Sequence, residues 1–422
     1  MTQALEGLRV VDFSNGFAGA LVSQLLADYG ADVVNVEPPG GSALRGQPGF
    51  YFWERGKRSA VLDLRQAADR ARASALARRA DVLVEAFRPG VAERLGLGEP
   101  ELRAANPGLI YTSITGFGRT GPYRDVQGYE GLVMAKLGGL RHFRAAPRPG
   151  PAFCSVPYCS FSGAQAALHG TLAALYVRGQ TGQGQRVDAT LVQGMAAHDP
   201  WDWFLHLIAE RYPDAFKNPP SHSPRGVPNQ SFGFRLLVCL SKDGRWLQFS
   251  QTSPHLFRAF MRALELDWMY DDPEWSTAPE FPTEEKRERF WEIMLEAARR
   301  KTVAEWNAVF EREPDVWAEV YRSARELFDH PQMRHNGHVL ELEDPRVGKT
   351  LQLAPMVRMD ATPGRVRGPA PELGAHTAEV LAELERAPAL ATPARAGRAP
   401  RLPLEGVTVL DLGLFYAAPY GP

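Results

Sequence analysis

A cluster of nucleophilic side chains stands in the stretch PAFCSVPYCSFSGAQAALHG, which begins at residue 151. An apolar and aromatic run meets a helix-like run here, and turns of this kind often present a reactive side chain at the mouth of a pocket. A hydroxyl or a thiol at such a turn could accept an acyl group. No carboxylate occurs between Glu130 and Asp188, so the turn has no acid of its own. The three candidates are Tyr158, Cys159 and Ser160.

The composition excludes several classes of protein. The 422-residue chain has a formal net charge of −1, so it lacks the strongly basic face of a nucleic-acid-binding protein. Its three cysteines match neither a disulfide framework nor the spacing of a zinc site. The start, MTQALEGLRV, does not resemble a signal peptide, and no run of about 18 apolar residues occurs. We expect a soluble, cytoplasmic protein with no metal, no nucleic-acid partner and no membrane contact.

The elements that must position the turn are strands and helices in alternation. Residues 21–29 and 67–79 have helical spacing, and 101–106 looks helical, whereas short apolar runs between them predict strands. This order favours βαβ units and a parallel sheet covered on both faces. Right-handed crossovers would make it an α/β, Rossmann-like layer. The predicted strands are 8–13, 32–36, 59–64, 82–84 and 109–115.

The middle of the chain has a different character. Strand-like runs at 234–240 and 246–250 flank Ser-Lys-Asp-Gly, a hairpin signal. Helix-like stretches follow at 255–265, 283–300 and 302–312, so we predict a smaller α+β domain. Short strand-like runs (VLELED and LQLAPMVRM) and a helix near 376–385 come next, and residues 386–402 have the Ala/Pro/Arg composition of a linker. The predicted divisions are 1–215 and 326–385 for the large Rossmann-like domain, 216–325 for the small domain, 386–402 for the linker and 403–422 for a further segment.

The last segment resembles the first strand region. Residues 404–412 read LEGVTVLDL and residues 5–13 read LEGLRVVDF, an offset of 399 positions. The correspondence continues, because YAAP at 416–419 aligns with FAGA at 17–20. We interpret 403–422 as the start of a second copy of the same domain, which predicts a tandem repeat. The alternative is an unrelated C-terminal strand.

Several segments together resemble one family, the class III CoA-transferases, which include the formyl-CoA and carnitine CoA-transferases. Their order and spacing cover nearly all of residues 5–385. The resemblance implies a Rossmann-like large domain made from both chain ends, a smaller middle domain and an interlocked dimer. The implied substrates are acyl-CoA and a carboxylic acid acceptor, and the implied assembly is a homodimer or a pseudo-dimer with a second repeat. The matching segments are LEGLRVVDFSNGFAG, LLADYGADVVNVEPPGG, GKRSAVLDLR, ADVLVEAFRPGVAERLGL, NPGLIYTSITGFGRTGPYR, TGQGQRVDATL, DHPQMRHNGHV and PAPELGAHTAEVL.

The resemblance also implies a catalytic position. In this family an Asp in a V-P-x-x-D turn attacks the acyl-CoA, and here the matching turn ends at Ser160. An acylated serine is an oxygen ester, less activated than a thioester, so CoA could not readily recover the acyl group. Cys159 could form a thioester, although a small buried cysteine is the preferred interpretation. Glu130, directly after Tyr129, stands where the family often has Asp. Glu130 or Glu85 could act as a base, but a structural hydrogen-bonding role is the preferred interpretation of Glu130.

Positions that match the family's nucleotide contacts predict a CoA-binding cleft at the carboxyl ends of the strands. For the apolar ones a place in the core is the alternative interpretation. The GFGRTG stretch at 116–121 fits a phosphate-loop pattern formally, but no apolar helix pattern follows it, so it predicts turns. The matching positions are Asn15, Phe17, Ala18, Leu62, Arg65, Ala86, Phe87, Arg94, Leu95 and Gln127.

Three functional hypotheses follow. The first is an acyl-CoA:carboxylate CoA-transferase family protein that binds CoA and, because Ser160 replaces the Asp, is inactive without a second repeat. The second is a non-catalytic CoA-binding or scaffold subunit. The third, a 2-methylacyl-CoA racemase, is disfavoured, because such enzymes carry a His where Tyr129 stands and also use the absent Asp.

Overall fold

The structure, a computed structural model, describes residues 2–138, 155–198, 200–216, 222–386 and 402–413. The chain divides into two compact units, the larger comprising 1–200 with 335–422 and the smaller comprising 201–334. The sequence-based boundaries stood at 215 and 325. Cys154 and most of the predicted linker lie outside the described residues.

The larger unit is built on a six-stranded sheet of order β3-β2-β1-β4-β5-β6, in which all neighbours are parallel. This is the strand order of a doubly wound dinucleotide-binding fold, so the predicted Rossmann-like α/β class is confirmed. Five of the six strands lie where the apolar runs predicted them. The strands are β1 (Arg9–Asp12), β2 (Asp32–Glu37), β3 (Arg58–Val61), β4 (Val82–Glu85), β5 (Ile110–Thr115) and β6 (Arg186–Thr190).

Helices cover both faces of this sheet. The alternation of side chains along a strand sends neighbours to opposite faces, so Val10 packs into the hydrophobic core on one face and Val11 packs into the core on the other face. The two cores are therefore separated by the sheet itself. The helices of this part are α1 (Phe17–Asp28), α2 (Phe50–Trp53), α3 (Ala67–Arg78), α4 (Val91–Arg94), α5 (Glu99–Ala105), α6 (Glu130–Leu137), α7 (Tyr158–Thr181), α8 (Leu191–His198) and, near the C-terminus, α16 (Thr377–Arg386), whereas α9 (Pro200–Arg211) belongs to the smaller unit from its second residue on.

The smaller unit combines a three-stranded antiparallel sheet with helices around a core of aromatic side chains. The predicted strand 234–240 is partly wrong, because Phe234 ends a short helix and only the last three residues form a strand. Its ring is fully buried against Phe290 and Trp291, and this packing outweighs the strand-like pattern. The elements are α10 (Ser231–Phe234), β7 (Val238–Leu240), β8 (Trp246–Phe249), α11 (Pro254–Ala263), α12 (Glu284–Ala298), α13 (Val303–Arg312), β9 (Ala318–Val320), α14 (Ala324–Phe328) and α15 (Pro331–His335).

The C-terminal part returns to the larger unit through an antiparallel hairpin of β10 (Val339–Asp344) and β11 (Gly348–Leu353). The predicted strand 351–359 is correct only as far as Leu353, since no strand continues beyond it. Residues 402–413, the described part of the predicted repeat, form turns and extended chain without a strand partner. Their apolar side chains are exposed, with Leu410 at 80% and Leu412 at 83%.

Candidate active site

The topological switch point of the parallel sheet is its carboxyl edge between the neighbouring strands β1 and β4, and we refer to this place as the crevice. After β1 the chain passes to α1 on one face, and after β4 it passes to α4 on the other face. Two connections that diverge to opposite faces leave a gap between them, and open α/β sheets bind their ligands at this switch point.

The residues after β1 form the first side of the crevice. Asn15 adopts a left-handed conformation with φ of 48°, and its side-chain N–H group donates to the carbonyls of Val36 (3.2 Å) and Phe13 (3.3 Å). This amide therefore ties the end of β1 to the end of β2. Phe17 and Ala18, the first residues of α1, are half-buried beside it.

The residues after β4 form the second side. The Phe87 backbone N–H donates to Oε2 of Glu85 at 2.7 Å, and the Phe87 ring packs on the same core as Leu95. Ala86 packs on the opposite core. Burial raises the pKa of Glu85, whose residue is only 4% exposed.

The other predicted CoA positions differ in what they offer a ligand. Leu62 is 2% exposed and lies in the core, so its side chain is not available to a ligand. Arg65 is exposed and pairs with Asp63 at 2.8 Å. Arg94 and Gln127 are exposed, and within the described ranges Arg94 forms no ion pair. The structure thus groups Asn15, Phe17, Ala18, Ala86 and Phe87 at the switch point and leaves Leu62 inside the protein.

The turn that carries Ser160 is helical. The sequence places a turn before the helix-like run, but α7 begins at Tyr158, so Ser160 lies in the first turn of a 24-residue helix. Pro157 occupies the N-cap position and provides no side-chain cap. Ser160 is half-buried.

Glu130, the first residue of α6, provides the missing cap for α7. Its Oε1 accepts a hydrogen bond from the Cys159 N–H at 2.6 Å, and its Oε2 accepts from the Ser160 N–H at 3.0 Å and from the Ser160 hydroxyl at 2.7 Å. A carboxylate therefore does lie at residue 160, although it comes from another helix. The hydrogen-bonding role predicted for Glu130 agrees with these contacts.

Two glycines fix the approach of α6. A Cβ on Gly116, just after β5, would lie 2.4 Å from the Cα of Gly128, so the backbones can meet only because neither residue has a side chain. Between them, Gly118 and Gly121 have φ values of +100° and +87°. The GFGRTG stretch thus forms turns that deliver Glu130 to its position.

Aromatic contacts bring α7 beside α1. The ring of Phe17, at the start of α1, lies 4.9 Å from the ring of Phe161 and 4.6 Å from that of Trp53, in edge-to-face arrangements. Such pairs stabilise by about 1 kcal/mol beyond their area burial. Ser160 is therefore adjacent in sequence to Phe161, whose ring contacts Phe17 on the β1 side of the crevice.

Cys159 is a buried thiol in this structure. The residue is fully buried, and burial together with the nearby Glu130 carboxylate raises the pKa of the Cys159 thiol to about 12. The thiolate, which is the reactive form, is scarcely populated at neutral pH. This geometry agrees with the small buried cysteine that the sequence favoured.

A cluster of buried charges lies against α1 and was not identified from the sequence. The Lys57 ammonium lies 3.1 Å from Oε2 of Glu54 and 3.9 Å from Oδ2 of Asp12, and it donates to the Ala20 carbonyl at 3.0 Å. The three side chains are at most 2% exposed. Burial raises the pKa of Glu54 to about 7, against the lowering effect of Lys57.

The described ranges contain neither a metal-ligand cluster nor a membrane-spanning helix. No group of three or more His, Cys, Asp or Glu side chains there could hold a metal ion. None of the helices in those ranges has the length and apolar character needed to cross a bilayer.

Comparison with known proteins identifies the family of the chain. Residues 5–377 match the family described as CoA-transferase family III. The chain is 32% identical over 410 residues to a succinate–glutarate CoA-transferase of Agrobacterium fabrum, covering 92% of this chain and 98% of that protein. It is 31% identical to a succinyl-CoA–D-citramalate CoA-transferase of Chloroflexus aurantiacus, covering 90% and 94%.

A solved structure supports the same assignment. A CaiB/BaiF family protein from Brucella suis superposes with a TM-score of 0.74 and 25% sequence identity, covering 91% of this chain and all of that one. The family match, the relatives and the doubly wound sheet agree with one another, and the protein is a member of the CoA-transferase family III.

Proposed function

We propose that this chain binds an acyl-CoA thioester in the crevice between the ends of β1 and β4 and moves CoA from one carboxylic acid to another. The observation that carries the proposal is the grouping of Asn15, Phe17, Ala18, Ala86 and Phe87 at the switch point. These positions match the family's nucleotide contacts. Arg94, exposed on α4, is the cation that we assign to a phosphate.

The relatives suggest the acceptor class. Their names refer to succinate with glutarate, succinyl-CoA with D-citramalate, and formyl-CoA with oxalate. Each named acceptor is a short acid with more than one carboxylate. We therefore assign a short dicarboxylic acid to this chain as acceptor.

Transfer between two acids requires an enzyme carboxylate, because each intermediate must remain as activated as a thioester. A carboxylate forms an anhydride with the acyl group and then a thioester with CoA. Ser160 can do neither. The carboxylate must therefore come from a second copy of the domain or from another residue of this chain.

A second copy is favoured by residues 402–413. They repeat the LEG-x-x-V-x-D pattern of residues 5–12, and their apolar side chains are exposed. An apolar strand-like segment left in solvent is stabilised once the rest of a sheet covers it. In this arrangement the chain acts as the supporting half of a pseudo-dimer, and the second copy supplies the carboxylate for transfer.

Two measurements test the function. Titration calorimetry with CoA should give saturable binding to the wild-type chain, and an absence of binding would contradict the proposal. The coding sequence beyond Pro422 tests the second copy, since a continuation with Asp in the V-P-x-x-D turn supports the pseudo-dimer. Binding without transfer, either where no second copy follows or in the complete two-copy protein, would instead identify a CoA-binding scaffold.

A further inference from the structure

We propose that Glu130 supplies the acyl-accepting carboxylate that residue 160 lacks, so that transfer proceeds within this chain. The inference rests on the proposed CoA-transferase function. It differs from the pseudo-dimer in the source of the carboxylate, and the two sources predict different covalent intermediates.

The location of the carboxylate carries the argument. Oε2 of Glu130 lies 2.7 Å from Oγ of Ser160, so the acid is one hydrogen bond away from the side chain that replaces the Asp. Both residues are half-buried, which leaves part of each open to solvent. An acyl group directed toward residue 160 by the crevice would therefore meet the Glu130 carboxylate.

The surrounding donors hold the Glu130 carboxylate in place beside residue 160. Two backbone N–H groups and one hydroxyl donate to its oxygens at 2.6, 3.0 and 2.7 Å. The Ser160 hydroxyl can rotate and break its hydrogen bond to Oε2 of Glu130, which frees Oε2 for attack. The Cys159 N–H still donates to Oε1.

The reaction balances without an added proton or oxidant. Oε2 attacks the thioester carbonyl carbon, the carbon–sulfur bond breaks, and CoA departs as thiolate from an anhydride. The thiolate then attacks Cδ of Glu130, and the donor acid leaves as a carboxylate that carries Oε2. The acceptor carboxylate repeats these steps in reverse order, which returns Glu130 to its ionised form and releases the new acyl-CoA.

The same contacts stabilise the second step. When the thiolate attacks Cδ, negative charge develops on Oε1, which already accepts from the Cys159 N–H at 2.6 Å. A preorganised donor at the developing oxyanion lowers the barrier and needs no reorganisation. A residue that only caps α7 would form these hydrogen bonds but would never become covalently modified.

Covalent trapping separates the two roles. The wild-type chain, Ser160→Ala and Glu130→Gln are incubated with succinyl-CoA and sodium borohydride, which reduces an enzyme acyl thioester to an alcohol. Peptide mass mapping then locates the modified residue, and CoA binding is measured for each protein by calorimetry. We expect the alcohol at Glu130 in the wild type and in Ser160→Ala, and none in Glu130→Gln.

The other outcomes are also decisive. Modification elsewhere, acylation of Ser160, or no adduct in a wild-type chain that binds CoA would overturn this inference and leave CoA binding intact. Failure of the wild-type chain to bind CoA would overturn the proposed function as well. The wild-type and Ser160→Ala results decide the matter even if Glu130→Gln does not fold.

Discussion

The hydroxyl of Ser160 donates a 2.7 Å hydrogen bond to the carboxylate of Glu130, a residue 30 positions earlier in the sequence. This bond joins the first turn of α6 to the first turn of α7. The position that lacks the family's Asp is therefore in contact with the carboxylate of Glu130.

Removing the acid should destabilise the fold more than removing the hydroxyl. Ser160→Ala deletes one of the three hydrogen bonds to Glu130 and should lower the free energy of unfolding by about 1 kcal/mol. Glu130→Ala deletes all three and uncaps α7, so we expect a loss of roughly 2–3 kcal/mol. Urea unfolding monitored by circular dichroism measures both. Equal losses would show that the carboxylate does not cap α7.

Arg94 should contribute to CoA affinity. Loss of a charge-assisted contact to a phosphate weakens binding roughly tenfold or more, so Arg94→Ala should raise the Kd for CoA by that factor. The effect should diminish at high salt, because screening weakens exposed charges. Arg72→Ala is the matched control, since Arg72 lies on α3 and pairs with Asp69 at 2.8 Å. Equal affinities of the two variants would remove Arg94 from the site.

The Glu54–Lys57 cluster should make stability depend on pH. The pKa of Glu54 is about 7 in the folded chain, against an ordinary value of 4.5. Between these values the folded state holds a proton that the unfolded state has lost. The free energy of unfolding should therefore fall as pH rises from 4.5 to 7, by on the order of 3 kcal/mol.

Substitution isolates this contribution. Glu54→Gln should flatten the stability profile over that interval. Glu37→Gln serves as the control: Glu37 is buried too, but hydrogen bonds from Arg45 and Ser59 outweigh that burial and lower the pKa of Glu37. Glu37→Gln should therefore alter the pH dependence of the free energy of unfolding only below this pH interval. An unchanged slope in Glu54→Gln would exclude Glu54 as the cause.

The close approach of Gly116 to Gly128 should tolerate no side chain. A Cβ at Gly116 would lie 2.4 Å from the Cα of Gly128, so Gly116→Ala must displace the chain that leads into Glu130. We expect lower stability and weaker capping of α7. Gly179→Ala, in the last turns of α7 with no atom within 4 Å of the added Cβ, should be stabilising by up to about 1 kcal/mol. Thermal unfolding compares the pair, and similar melting temperatures would contradict the steric argument.

The layer of strands and helices follows from local patterns, whereas the site depends on contacts across the chain. Buried parallel strands are short apolar runs, so residues such as Val33 and Leu83 indicate their elements directly. The strand Arg186–Thr190 was not identified, because its residues RVDAT include two charged side chains. The helical start at Tyr158 was also missed, since its cap comes from Glu130 and no local sequence pattern records a partner 30 residues away.

Isotope exchange measures directly whether this chain transfers CoA through Glu130. The wild-type chain alone is incubated with unlabelled succinyl-CoA and labelled succinate, and label in the thioester is measured over time. We expect exchange by the wild type and by Ser160→Ala, and none by a folded Glu130→Gln. No exchange by a wild-type chain that binds CoA, or exchange that persists in Glu130→Gln, would contradict this expectation.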